Sequence, residues 1–385
     1  KPLSRRFLGL VFQGDFENFD TNITVNAGAG GNLTARTQTD ISDPYRLKEL
    51  EIELNEFNGY ELLGDSTLPD LNYARMNGSG NINLMEPSTA EWQGALEVSD
   101  MSLTDYSLDR AEFDYRLNRG VAELSGTVQK SMEIIQASIN ASEVFSDIPE
   151  WRGDFSAETI NLATWLEDAT LDSELSLTLN AEGSGIRQSD LQSRVRLIVD
   201  EGRFGNQSFS EITFNGLVSP REIVGEWTGR INQSIARANA TVTEWSGIPD
   251  YQFDLSLDKV NVADFTGFED FPTYINGNLQ GEGRSFDISE LTLNAVAQLD
   301  STIINGQPID TLKSEFKVEN EIFYVENSTL QSPIADAELR IRQHLTDFMD
   351  LENRLDFTAE IKDLYPFAPL IGVEQLLVRG GLEGQ

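Results

Sequence analysis

The segment "ELSLTLNAEG", residues 174–183, decides the fold class because apolar and polar residues alternate along it. Leu175, Leu177 and Leu179 occupy every second position, and serine, threonine and asparagine fill the positions that follow them. Successive side chains of a β-strand point to opposite faces of the sheet. The segment therefore predicts a strand with one apolar face and one polar face.

The same alternation recurs along the chain, in "YQFDLSLD" (251–258), "LTLNAVAQL" (291–299) and "LDFTAEI" (355–361). Strands that are apolar on one face only are typical of antiparallel sheets, since the strands of a parallel sheet are buried on both faces. Clusters of glycine and asparagine such as "NGSGN" (77–81) supply the turns between strands. The pattern predicts an all-β antiparallel chain.

Short glycine motifs divide the sequence into repeats. "GSG" at 78–80, "GSG" at 183–185, "GEG" at 281–283 and Gly384 follow one another at spacings of 105, 98 and 103 residues. This spacing predicts a partial repeat over 1–80, repeats over 81–185 and 186–283, and a truncated repeat over 284–385. Together they are expected to form one continuous, elongated β domain.

A short helix is expected once in each repeat. "NLATWL" (161–166), "NVADFT" (261–266) and "DLYPFAPL" (363–370) each begin with a residue suited to cap a helix N-terminus, followed by apolar residues. "NEFNGYELL" (55–63) is interpreted as a degraded version of this element. Helices this short are not stable alone, so each is expected to lie on the sheet.

Charge and composition exclude several classes of function. The chain has 28 Lys and Arg against 64 Asp and Glu, a formal net charge of −36. Such a chain repels nucleic acids and anionic lipid headgroups. It has no cysteine, which excludes a disulfide scaffold and a zinc–thiolate site.

Catalytic motifs are missing from the sequence. His344 is the single histidine and is expected to be a turn or surface residue, and no Gly-x-Ser-x-Gly elbow is present. The glycine-rich segments lack the lysine and hydroxyl residue of a phosphate-binding loop. We therefore expect neither an enzyme nor a cofactor or metal site.

The recurring order of alternating strand, short capped helix, strand with small residues and further strands resembles the periplasmic repeat region of the TamB/AsmA-like family. The resemblance extends from "ITVNAGAGGNLTA" (23–35) to the last residue. It implies a sheet curled into an open groove, a β-taco, with an apolar interior and a polar exterior. It also implies a periplasmic segment that conducts phospholipid between the inner and outer membranes. The implied partners are phospholipid acyl chains, an outer-membrane β-barrel and an inner-membrane anchor outside this chain.

The apolar members of the alternating strands are the candidate binding residues. A sheet with one apolar face must bury that face against another layer, against itself or against a ligand. The residues expected to line the groove and contact acyl chains are Leu175, Leu177, Leu179, Leu197, Val199, Phe214, Phe253, Leu255, Leu257, Leu291 and Leu293.

Two other functions fit the same pattern. A structural or adhesive extracellular β-repeat protein would seal the apolar face with a second sheet. A polysaccharide-active β-solenoid enzyme would use paired carboxylates such as Glu269 and Asp270, although a chain with 64 acidic residues contains such pairs by chance. Co-purification of phospholipid, measured by native mass spectrometry, would distinguish lipid binding from both alternatives.

Overall fold

The computed structural model describes residues 7–14, 18–42, 45–59, 61, 69–103, 106–205, 207–261, 273–304, 306–347, 352–362 and 380–384. The chain divides into two compact units, Lys1–Gly205 (unit 1) and Asn206–Gln385 (unit 2). The described residues contain 24 strands, and they are α-helical only at Gly59, Glu61 and Leu162–Leu166, so the predicted all-β class is confirmed. The limit at Gly205 falls inside the predicted repeat 186–283.

Unit 1 is an antiparallel meander, in which each strand pairs with the next one along the chain. Short 3-10 turns lie at Gly28–Gly30, Pro87–Thr89 and Ala169–Leu171, and helix α1 spans Leu162–Leu166. The strands are β1 (Phe7–Gly14), β2 (Phe19–Asn26), β3 (Asn32–Asp40), β4 (Arg46–Asn58), β5 (Asp70–Asn83), β6 (Glu91–Leu103), β7 (Tyr106–Asn118), β8 (Val121–Lys130), β9 (Glu133–Ser142), β10 (Glu150–Ile160), β11 (Ser173–Ser184) and β12 (Gln192–Phe204).

Unit 2 contains a second antiparallel meander, from β14 to β24. Its strands are β13 (Gln207–Phe209), β14 (Glu211–Val218), β15 (Glu222–Ile231), β16 (Ser234–Thr243), β17 (Asp250–Val260), β18 (Thr273–Arg284), β19 (Thr292–Ile304), β20 (Gln307–Glu319), β21 (Ile322–Gln331), β22 (Ala335–His344), β23 (Arg354–Ile361) and β24 (Gly380–Gly384).

The burial of side chains along the strands follows the period-two alternation of the sequence. Along β7, Phe113, Tyr115 and Leu117 are half-buried, and the charged or amide side chains between them are exposed. Neighbouring strands keep this alternation in register, since Phe113 lies opposite Leu96 and Tyr115 lies opposite Leu124. Each meander therefore has one apolar and one polar face, as one-sided burial requires.

Helix α1 forms where "NLATWL" predicts it. The Asn161 side chain Oδ1 accepts hydrogen bonds from the backbone N–H of Ala163 at 2.9 Å and of Ser173 at 3.0 Å. Glu167 then ends the helix in a left-handed conformation with φ of 56°. The cap satisfies a free N–H of the first turn, which helps a helix of only five residues to persist at the end of a sheet.

The other expected helices have different outcomes. Residues 262–266 and 363–370 lie outside the described residues. In the segment 55–63, Asn55 to Asn58 belong to strand β4, so a helix there is wrong for these four residues. The reason is pairing with β5, in which Asn55 lies opposite Tyr73 and Phe57 lies opposite Leu71. Of the rest of that segment, only Gly59 and Glu61 are described; both are helical, and Asn58 Oδ1 accepts the Glu61 backbone N–H at 2.7 Å.

Local hydrogen bonds recur 100 residues apart. The backbone N–H of Gly185 donates to the Pro149 carbonyl at 2.9 Å, and that of Ser285 donates to the Pro249 carbonyl at 2.8 Å. In the same way, Asn261 Oδ1 accepts from the Thr273 N–H at 3.1 Å, as Asn161 does from Ser173. These recurrences support a repeat of this length, while the repeat boundaries stay predictions.

Candidate functional site: the apolar faces of the two units

The predicted lining residues of unit 1 share one face. Leu175, Leu177 and Leu179 lie on β11, and Leu197 and Val199 lie on β12. Leu179 is directly opposite Leu197, and Leu177 is directly opposite Val199. Because directly opposed side chains of an antiparallel pair lie on the same side, the five residues form one apolar patch.

In unit 2, four of the predicted residues lie on β14 and β17, and Leu293 lies on β19. Strand register connects them into a continuous series, here called the apolar row. Each member of the apolar row lies directly opposite the next one on the neighbouring strand, in the order Phe214, Trp227, Ala238, Leu255, Leu279 and Ala297. Phe253 and Leu257 lie on the same face, two residues before and after Leu255, and Leu293 lies on it four residues before Ala297.

Leu291 differs from the other predicted lining residues. Strand β19 begins at Thr292, which lies opposite Arg284, the last residue of β18. Leu291 therefore belongs to the loop between these strands, at the edge of the sheet.

Burial varies across the apolar faces. In unit 1, Leu175 is 8% exposed and Val199 is 6% exposed, whereas Leu177, Leu179 and Leu197 are only half-buried. Leu255 and Phe253 in unit 2 are also half-buried. A side chain enclosed between two packed layers would show almost no exposed surface. The middle of each apolar face is therefore accessible to solvent or to a ligand.

Aromatic rings on these faces lie over glycines of a neighbouring strand or, for Trp227 and Gly229, of the same strand. A Cβ built on Gly281 would come within 2.7 Å of Phe253 Cζ, and one built on Gly225 would come within 2.8 Å of Phe214 Cε2. Trp227 covers Gly229 in the same way, at 2.6 Å. Such close approach is possible because glycine has no side chain. The rings lie along the sheet and give a smooth apolar surface.

These aromatic–glycine pairs were missed by the sequence reasoning, which interpreted the glycine motifs as repeat markers. The available signal was an aromatic residue and a glycine at positions that become opposite across a hairpin, as in Phe253 with Gly281 and Tyr251 with Gly283. Trp227, Leu279 and the alanines of the apolar row were also not predicted.

Concave space is found on the polar face. In unit 1, an open cavity of about 1180 Å³ is lined by polar side chains of β1–β8, including Arg36, Glu51, Arg75 and Asp114. Two arginines bind the same carboxylate there, with Arg75–Glu51 at 2.6 Å and Arg36–Glu51 at 3.6 Å. A cavity of about 660 Å³ in unit 2 is also lined mainly by polar residues. Of the predicted groove residues, only Phe253 lines either of these two cavities, so neither cavity coincides with the predicted apolar groove.

The carboxylates of Glu133 and Glu167 hold helix α1 at one end of the strands of unit 1. Glu133 Oε2 accepts hydrogen bonds from the Asn161 backbone N–H at 3.0 Å and from Trp165 Nε1 at 2.7 Å. Glu167 Oε1 lies 2.7 Å from the ammonium of Lys130, which is largely buried. The hydrogen bond from Lys130, followed by that from Ser107, lowers the pKa of Glu167. The helix thereby stays beside the buried end of β11.

The described residues offer little for catalysis. His344 Nδ1 accepts backbone N–H groups of Thr346 at 3.3 Å and Asp347 at 3.1 Å, so its ring stabilises a turn. Within the described ranges, no three His, Asp or Glu side chains are placed to hold a metal ion. No helix in the described part of the chain is both long and apolar enough to cross a membrane.

Comparison of the sequence and structure with known proteins found no matching family model, curated protein or solved structure. The resemblance to the TamB/AsmA-like family therefore stays a prediction that depends on the residue pattern. The geometry of the apolar faces is the basis for any functional proposal.

Proposed function

We propose that the apolar faces bind phospholipid acyl chains, and that the chain is a periplasmic bridge segment that conducts phospholipid between the inner and outer membranes in support of outer-membrane biogenesis. The observation that carries this proposal is the apolar row of unit 2, which crosses six hydrogen-bonded strands and is half-buried at Leu255. Binding of an apolar ligand to such a surface is favourable, because it removes apolar surface from contact with water.

The length of the apolar row suits an acyl chain. Adjacent strands are about 4.8 Å apart, so six strands span roughly 24 Å. One leaflet of a bilayer has a hydrocarbon depth of about 15 Å, half of the usual core thickness. An acyl chain therefore fits within the row, and it gains about 25 cal/mol for each Å² of apolar surface removed from water.

Binding of this kind requires no fixed polar group. The flat aromatic rings over Gly225, Gly229 and Gly281 leave a smooth surface, on which a chain can move without breaking specific hydrogen bonds. Transport needs binding that is favourable but easily reversed, which many weak dispersion contacts provide. The net charge of −36 keeps the polar surface soluble. An outer-membrane β-barrel and an inner-membrane anchor are the partners proposed for the two ends of the bridge.

Site-specific photo-crosslinking tests the proposal with a matched pair of positions. Leu255 and Ser256 are neighbours in β17, are both half-buried and point to opposite faces. A photo-reactive residue in place of Leu255 should capture phospholipid in envelope membranes, and the same residue in place of Ser256 should not. Equal capture at both positions, or no lipid at Leu255, would refute lipid binding by the apolar face.

A second candidate is a structural or adhesive β-repeat protein. The flat aromatic–glycine surface favours it, since two sheets pack face to face at about 10 Å when their surfaces are complementary. In that case native mass spectrometry would detect a lipid-free dimer. Monomer with bound phospholipid would support the first proposal.

A further inference from the structure

Two neighbouring hairpin loops of unit 1 carry exposed apolar side chains. They lie at the ends of the strands that are farthest from helix α1. The loop between β9 and β10 ends at Pro149, and the loop between β11 and β12 begins at Gly185, whose N–H donates to the Pro149 carbonyl at 2.9 Å. Phe145, Ile148 and Ile186, here called tip cluster 1, are all exposed, and Ile186 is 75% exposed.

Unit 2 repeats this construction within its own meander. The loop between β16 and β17 and the loop between β18 and β19 are joined by the Ser285 N–H and the Pro249 carbonyl at 2.8 Å. Ile248, Phe286 and Ile288, here called tip cluster 2, are exposed, and Phe286 is 69% exposed. The same part of the repeat therefore places large apolar side chains in solvent twice.

The loops that carry the tip clusters are held by internal hydrogen bonds. In unit 1, Asp190 Oδ1 accepts the Arg187 N–H at 2.9 Å, and the Asp190 N–H donates to the Arg187 carbonyl at 3.0 Å. In unit 2, Asp287 Oδ1 accepts the Ser289 N–H at 2.9 Å. Turn positions usually hold polar residues or glycine. Exposed apolar residues on fixed turns indicate an interaction surface.

The charges around the tip clusters indicate the chemistry of the partner. Residues 143–150 and 185–191 contain four carboxylates and one arginine, and residues 244–250 and 284–291 contain four carboxylates and one arginine, Arg284. An anionic membrane would be repelled by this surface. A segment with apolar residues on one side and lysine or arginine beside them would complement both features.

We propose that each tip cluster docks a basic amphipathic helix of a partner protein. Such a helix presents apolar residues at i, i+3, i+4 and i+7, so one turn can cover three exposed side chains while its cations face the surrounding carboxylates. The contact is smaller than the roughly 1,200 Å² of a stable complex, so each cluster forms a weak and reversible contact. In unit 2 this docking surface adjoins the apolar face, because the Phe286 ring stacks on that of Tyr251 with a centroid distance of 5.1 Å. The proposal does not depend on lipid binding.

A peptide-binding experiment tests this docking. The probe is a fluorescent leucine–lysine peptide of about 18 residues, five helical turns, with leucine on one side of the helix. Its control has the same composition in scrambled order, so it has equal charge but no apolar side. We expect the amphipathic peptide to bind the intact chain at least tenfold more tightly than the scrambled peptide, about 1.4 kcal/mol.

Substitutions then locate the binding surface. The double variant Ile186→Ser, Phe286→Ser should lose most of the difference in affinity between the amphipathic and the scrambled peptide. The variant Met132→Ser should keep this difference. Met132 is the matched control. It is 93% exposed in the turn between β8 and β9, at the strand ends away from tip cluster 1. Thermal unfolding checks that the double variant is folded. If it is not, Asp147→Asn with Asp287→Asn should weaken peptide binding and reduce its salt dependence.

Several results would overturn the proposal. Equal affinity for the two peptides, or an unchanged difference in the double variant, would show that the tip clusters bind no amphipathic helix. Flotation with neutral phosphatidylcholine vesicles that depends on Ile186 and Phe286 would assign the surface to a lipid bilayer. Dimerisation in analytical ultracentrifugation that depends on the same two residues would assign it to a second copy of the chain.

Discussion

Replacing Leu255 with aspartate places a charge in the middle of the apolar row. Leu255 lies opposite Ala238 on β16 and Leu279 on β18. Complete burial of a leucine side chain is worth about 1.5–3 kcal/mol. Because Leu255 is half-buried, we expect its loss to cost about 1 kcal/mol of the free energy of unfolding. The new carboxylate can reach water, so it avoids the additional several kcal/mol that an unpaired buried charge would cost.

For a folded unit of 150–250 residues, 1 kcal/mol lowers the melting temperature by about 2–4 °C. The control is Ser256→Asp, which adds the same charge to the polar face between Arg237 and Asn278. Differential scanning calorimetry should place the Leu255→Asp variant a few degrees below this control. Lipid transfer between donor and acceptor vesicles should fail for Leu255→Asp and continue for Ser256→Asp.

Two outcomes would refute this reasoning. If the Leu255→Asp variant melts more than about 8 °C below the control, the charge is trapped in a sealed core and the face is not accessible. If the variant is stable and still transfers lipid normally, the apolar row at Leu255 is not part of the lipid path.

Three further changes test other parts of the structure. Asn161→Ala removes the helix cap and should cost about 1–2 kcal/mol in denaturant unfolding. Asn161→Asp keeps the cap but loses the 2.9 Å hydrogen bond from Asn161 Nδ2 to Asp172 Oδ1 and places two carboxylates together, so it should recover only part of that stability. Lys130→Met should destabilise unit 1 most at neutral pH. Its partner Glu167 has a pKa lowered from 4.5, so this stabilisation is present above 4.5 and is lost as the pH falls through the folded value; melting curves of both proteins should converge at acidic pH. Gly281→Ala should displace the Phe253 ring and cost about 1–3 kcal/mol, whereas Gly380→Ala, with no atom within 4 Å of the new Cβ, should change the unfolding midpoint much less.

Local chemistry explains the features that the sequence predicts well. The alternation of Leu175, Leu177 and Leu179 places them on one face regardless of where the neighbouring strands lie. The helix after Asn161 also depends on nearby residues, because the cap bonds to the N–H of Ala163 two positions later. Both inferences need only a few consecutive residues.

Features that depend on strand pairing were harder to predict. The alternation in "LTLNAVAQL" extends to Leu291, but the pairing of β18 with β19 ends at Arg284 and Thr292. Leu291 therefore has no paired residue on β18. In the segment 55–63, pairing with β5 extends β4 as far as Asn58, so the helical residues begin later than the sequence pattern indicates. The flat packing of Phe253 on Gly281 also requires the register. Which face becomes concave depends on accumulated twist between strands, and alternation carries no information about that twist.

The meander order also affects how each unit folds and how its length can vary. Every strand from β1 to β12, and every strand from β14 to β24, hydrogen-bonds to the strand before or after it in sequence. Closing such short connections costs little chain entropy, so each new strand can add to the preceding one as the chain leaves the ribosome. Because two strands restore the original chain direction, hairpins can be gained or lost in pairs of strands without reversing the pairing of the strands that remain.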